Sequence, residues 1–226
     1  MTREATLIRV GLDANIAARG KMLVLAIDTA TPAPALALAG EDFEDEMRLP
    51  EGHPVSEALL PYLAELLARA GTSLSGLGRI AVCAGPGSFT GIRVGLATAW
   101  GFCRALGIPL ETIDALEMMA ETSRASGVAV ASAVLDAERG EAYVAVFDLS
   151  GPRAAAVSPI RIVPSGDPGA LSGAVVRLPS ERPFAVSPAL AAARAVHASP
   201  GPASATPRAR YVRPSAAEEF HGHARA

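Results

Sequence analysis

The chain has 226 residues, half of them apolar and 19% charged, which suffices for one large or two small lobes with proper cores. Its 20 basic and 23 acidic residues are scattered and sum to a formal charge of -3, so the chain carries no basic footprint for wrapping nucleic acid unaided. No run is long enough to span a membrane, and the two cysteines, Cys83 and Cys103, sit in apolar patterns without metal-ligand spacing, which favours buried thiols in a reducing cytoplasm.

Residues 1–21 carry charges at Arg3, Glu4, Arg9, Asp13 and Arg19, which interrupt any apolar stretch of a secretion signal. Met22 is where a compact domain is expected to begin, with 1–21 a dispensable extension from an upstream start. Met22 to Asp28 and Ala33 to Ala39 are continuous apolar runs around Thr29-Ala30-Thr31-Pro32, a hairpin of buried strands. Glu41 to Arg48 is short and charged, as an edge strand protected by charge would be. Val55 to Ala70 places Leu59, Leu63, Leu66 and Leu67 on one helical stripe and ends at Gly71.

Arg79 to Ala84 is the next strand, and it runs without a spacer into Gly85-Pro86-Gly87-Ser88-Phe89-Thr90-Gly91-Ile92-Arg93-Val94-Gly95. Gly85 and Gly87 permit a turn with positive φ, and Ser88 can cap a helix reaching about Leu106. Such a turn suits either an anion or a closely packed partner. Gly91, Gly95, Ala97, Thr98, Ala99 and Gly101 leave much of that helix without bulk, which predicts a close neighbour from this chain or another.

A second lobe is expected from Pro109. Ile108 to Ile113 reads as a short strand, and Asp114 as the cap of a helix carrying Leu116, Met118 and Met119. Val128 to Asp136 and Glu141 to Phe147 read as strands around the charged turn Ala137 to Gly140. Past Ser150 the chain is rich in Pro, Gly and Ala, with one helix over Pro188 to His197 opened by Ser187. Gly201 to Pro207 reads as a loop, and the tail 214–226 as disordered.

Leu25-Ala26-Ile27-Asp28-Thr29-Ala30-Thr31, Ser56-Glu57-Ala58-Leu59-Leu60-Pro61 and the glycine block Gly85 to Gly95 together resemble the bacterial TsaB (YeaZ) family. Leu135 to Tyr143 and Tyr211-Val212-Arg213 are similar to later motifs of that family, so the resemblance runs from about Met22 to Arg213. It implies a two-lobed, actin-like (ASKHA, RNase H-like) α/β fold with mixed sheets flanked by helices, its lobes at 22–108 and 109–213. It also implies a noncatalytic partner of a TsaD-like transferase that modifies tRNA adenosine with a threonylcarbamoyl group, with a TsaE-like ATPase nearby. Contact with tRNA is then expected only through the complex, and a homodimer when the partner is absent.

In the resembled family the helices of the N-terminal lobe pair with those of the partner. Here Leu59, Leu63 and Leu66 of one helix and Gly91, Arg93, Gly95, Thr98 and Phe102 of the other are the expected contact, and Gly95→Arg is expected to abolish docking with the fold intact. Actin-like kinases follow the acid of their first strand with a glycine-bearing hairpin; here Asp28 is followed by Thr29-Ala30-Thr31-Pro32, which weakens any phosphate cradle. Asp28, Thr29, Gly85, Gly87, Ser88 and Asp136 are therefore expected to outline a degenerate cleft, with no cofactor or metal. Asp28 reads either as a relic of the nucleotide site or, preferably, as the acceptor of N–H groups in its own turn. Asp136 reads as facing the cleft or as part of a solvated turn, and Arg93 as meeting a partner carboxylate or phosphate or as a surface ion pair. No two histidines sit at helical spacing, and His221, His223, Glu218 and Glu219 fall in the tail. An independent small-molecule kinase or ATPase is the alternative function; a protease ranks last, because no nucleophile constellation can be read.

Overall fold

Buried on both faces, an apolar run can only be the centre of a sheet, and that is where the first strands lie. The computed structural model describes residues 23–169, 171–179 and 185–212. Strand β1 (Leu23–Asp28) and strand β2 (Ala35–Ala39) are buried throughout and pair antiparallel with Asp28 opposite Ala35. Strand β3 (Glu44–Arg48) closes that edge with only Met47 buried. On the other side β4 (Leu77–Cys83) runs parallel to β1, and β5 (Leu110–Ile113) parallel to β4, giving the order β3-β2-β1-β4-β5.

Helix α1 (Val55–Arg69) and helix α2 (Phe89–Leu106) make the crossovers into β4 and β5. Gly71 follows α1 at φ +61°, where the amide of Thr72 reaches back to the Leu67 carbonyl at 3.0 Å and closes the helix end. Ser88 caps α2 as expected, its hydroxyl accepting the Gly91 amide at 3.2 Å.

The second sheet is built on the hairpin of β6 (Val130–Asp136) and β7 (Glu141–Asp148). Strand β10 (Ala174–Leu178) lies parallel to β6, and β8 (Ala155–Ala156) and β9 (Arg161–Pro164) both pair with β7. Helix α3 (Ala115–Glu121) packs on β6 and β7, helix α4 (Pro188–Ala198) packs on β1 and β2, and the two touch each other. They form the layer between the sheets. Helices α1 and α2 cover the far face of the first sheet, so their outer surfaces meet solvent.

Two expectations are corrected here. Residues 110–113, placed at the start of a second lobe, complete the first sheet instead, because α2 returns the chain beside β4 and buries Leu110 and Ile113 there. Asp114 makes no capping bond to α3; its carboxylate pairs with Arg210. Pro34 lies just outside β2 and leaves the ladder intact, its carbonyl accepting the Leu49 amide at 2.9 Å. The expectations for 1–21 and 214–226, and for Glu218, Glu219, His221 and His223, lie outside the described residues.

Candidate functional site

Asp28 ends β1 fully buried, and its carboxylate is turned into its own loop. One oxygen accepts the amides of Ala30 and Thr31 at 3.0 and 3.1 Å; the other accepts the Thr31 hydroxyl at 2.5 Å. Burial pushes this carboxyl above its ordinary range, and the Thr31 and Ala30 hydrogen bonds pull partly back. Of the two readings for Asp28, the turn acceptor is the one realised.

The glycine block is packed against that same turn. A Cβ on Gly91 would fall inside the carbonyl of Thr29, one on Gly87 inside the carbonyl of Ala30, and one on Gly95 against the Thr29 hydroxyl oxygen. The contact is bonded as well as close: the Thr29 hydroxyl donates to the Gly91 carbonyl at 2.7 Å, and the Ser88 amide donates to the Ala30 carbonyl at 2.8 Å. The close neighbour demanded by the small residues is thus the chain's own β1–β2 turn. Cys83 sits beneath it, its buried thiol held well above the usual range by desolvation and then by the Asp28 charge.

A cleft of about 550 Å³ opens beside the turn. Gly87, Ser88 and Asp136 line it, whereas Asp28, Thr29 and Gly85 are not in its lining. Asp136 is exposed and accepts the Glu138 amide at 2.9 Å, opening a turn in which Glu138 and Arg139 adopt left-handed φ of 60° and 55°. This solvated turn forms one lip of the cleft. The sequence reading missed Phe89, Tyr143, Arg139 and Arg210 in this lining. Tyr211 was visible only as part of a motif; an aromatic in a tail of Pro, Ala and Arg was the signal that it packs against something.

The outer face of the helix pair differs from the expected contact. Leu59, Leu63 and Leu66 are buried in the core, and Gly91 and Gly95 face the Thr29 turn. Thr98 and Phe102 are half-buried, and only Arg93 of that set is exposed. The periodicity was right and its direction was not: each stripe covers the protein's own sheet. Gly95→Arg would accordingly break the fold rather than report on docking. What solvent meets is Leu60, 54% exposed, on α1 and Trp100, 45% exposed, on α2, with Ala64 and Ala97 around them. Among the described residues no three His, Cys, Asp or Glu side chains are grouped to hold a metal ion, and no helix is long and apolar enough to cross a membrane.

Residues 52–163 match the protein family described as TsaD, tRNA N6-adenosine threonylcarbamoyltransferase. The tRNA threonylcarbamoyladenosine biosynthesis protein TsaB of Escherichia coli K12 is 36% identical over 132 residues, covering 56% of this chain and 55% of the relative. TsaB of Bacillus subtilis 168 is 33% identical over 129 residues, covering 56% and 55%. Over these residues the chain is similar to the TsaB (YeaZ) proteins. It spans about half the length of the curated TsaB relatives it matches. YeaZ from Pseudomonas aeruginosa superposes with a TM-score of 0.64 over 78% of this chain and 90% of that one, at 23% identity, which speaks for the shared fold alone. The two mixed sheets with their helix layers are thus the two-lobed, actin-like TsaB architecture expected from the motifs.

Proposed function

We propose that this TsaB-like chain is a noncatalytic partner of a TsaD-like transferase in threonylcarbamoyladenosine modification of tRNA, acting in the cytoplasm by docking through the outer face of α1 and α2. The observation that carries this reading is the contrast between a filled first turn and an open helix face. Asp28 commits both carboxylate oxygens to its own loop, while Leu60 and Trp100 stand in solvent. A kinase or ATPase of this architecture needs an acid aimed into the cleft, and large exposed apolar side chains on neighbouring helices are what a docking surface needs. The competing reading as an independent kinase or ATPase loses support on both counts.

In this reading the part of the chain built on the first sheet makes the heterodimer. A TsaE-like ATPase joins the assembly, tRNA is met through the complex, and the same face closes a homodimer when the partner is missing. The test is calorimetric titration of the chain with the TsaD-family transferase of the same genome, for the wild type and for Leu60→Glu/Trp100→Glu. The wild type is expected to bind near one-to-one, and the double variant to lose about a hundredfold in affinity with an unchanged circular dichroism spectrum. A wild-type chain that is folded and shows no binding sinks the reading, and titration with ATP would then decide for the alternative.

A further inference from the structure

We infer that Phe89, Arg93 and Tyr211 form a composite patch at the N-terminal end of α2 that receives a carboxylate carried by the protein partner. This rests on the docking reading above and adds to it a residue-level contact and its chemistry. Arg93 lies one turn after Phe89, with its guanidinium carbon 3.7 Å from the centre of the Phe89 ring. Tyr211 comes from the far end of the described chain, sets its ring 5.3 Å from that of Phe89, and accepts a hydrogen bond from Arg93 Nε at 3.3 Å. Phe89 and Tyr211 are each 40% exposed.

Tyr211 is held there by the segment that follows α4. Residues 199–212 run without regular structure beside the open edge of β5, where the Ser204 amide donates to the Leu110 carbonyl at 2.7 Å. The Arg210 amide donates to the Ala84 carbonyl at 2.7 Å and its side chain pairs with Asp114, so the residue just before Tyr211 is fixed from both sides. Two segments more than a hundred residues apart thereby build one surface.

The chemistry of the occupant follows from what Arg93 lacks. Arg69, Arg79, Arg153 and Arg194 each meet an acid, whereas no carboxylate among the described residues pairs with Arg93. Stacking on one ring and bonding at Nε hold the guanidinium plane still and leave the two terminal nitrogens as a fork that matches a carboxylate. An immobilised cation inside an aromatic rim is the composition of a binding hot spot, since the ordering cost is met before the partner arrives and the rings exclude water. Arg93, Ala97 and Trp100 follow one another at i, i+4 and i+7, so the patch continues the exposed stripe of α2. A protein carboxylate is favoured over an RNA phosphate because a polyanion needs a run of cations, whereas this chain has 20 scattered basic residues and a net charge of -3, and a single forked guanidinium suits a single carboxylate.

The experiment is titration of full-length variants with the same TsaD-family transferase, at two salt concentrations, and in parallel with a tRNA anticodon stem-loop. Arg93→Ala is expected to weaken transferase binding by about tenfold or more and to flatten its salt dependence. Arg93→Lys is expected to lose nearly as much, because an ammonium cannot fork, and Tyr211→Phe about two- to fivefold, because the ring stays and the Nε acceptor goes. Wild-type affinity in both Arg93 variants overturns the patch while leaving the docking reading standing. Failure of the wild type itself to bind removes both. Loss confined to stem-loop binding also overturns the patch, as it assigns Arg93 to RNA.

Discussion

Thr29 and Gly91 hold each other twice over: the Thr29 hydroxyl donates to the Gly91 carbonyl at 2.7 Å, while the Thr29 carbonyl fills the space that a Cβ on Gly91 would need. The turn after β1 and the first turn of α2 are thus one packed unit. Gly91→Ala must move backbone rather than a side-chain tip, so it is expected to cost about 3 kcal/mol or more in urea unfolding, at the upper end of overpacking effects. Gly101, in the same helix with open space around its Cβ position, is the control. Gly101→Ala is expected to stabilise by about 0.5–1 kcal/mol.

A second prediction concerns Glu111 on β5, which is buried and gathers three donors. Arg79 reaches it at 3.1 Å, the Gly201 amide at 3.0 Å, and Arg153 makes the third contact. Glu111→Gln leaves Arg79 without its counter-charge and Arg153 with Glu117 alone, and is expected to cost about 2–4 kcal/mol. Faster amide exchange over residues 199–204 should accompany the loss, because that segment is tied to the same carboxylate.

The buried carboxyl of Asp28 gives a pH signature. Its folded value lies above the ordinary 3.8, so the unfolded chain releases this proton first as pH rises. The stability tied to the protonated form is complete below 3.8 and is lost as pH climbs through the raised folded value. Asp28→Asn does not titrate. Its stability relative to wild type is therefore expected to improve steadily over that window in parallel urea melts, and a difference independent of pH would refute the assignment.

Both thiols are shielded. Burial pushes Cys103 up to about 11 and holds Cys83 well above the usual thiol range. Neither is expected to react with a disulfide reagent at pH 8 in the native protein, and both should react once guanidinium unfolds it.

Much of this was legible in the sequence because it is local. The β1–β2 hairpin, the Ser88 cap, the Gly71 stop and the β6–β7 hairpin each have their signal within a few residues. What was not legible is long-range. Nothing within Leu110 to Ile113 says which sheet it will join, and nothing in Pro188 to Ala198 says that it will return to β1 and β2. The glycines of α2 announced a close approach but not its direction, since a helix from another chain and a turn from the same chain ask for the same small residues. The cleft escaped for a related reason: Phe89, Arg139 and Arg210 come from three elements whose meeting depends on the whole fold.

The return of α4 has a consequence for how the protein is made. Arg194 pairs with Glu44, and the Ser187 amide donates to Glu46 at 2.7 Å, so the edge strand β3 gains these contacts only from a segment encoded about 140–150 residues later. A ribosome that has delivered β1 to β4 has delivered an unfinished sheet. The apolar face of β1 and β2 that α4 covers stays open until nearly the whole chain has emerged, and over that interval it is a surface for a chaperone to hold.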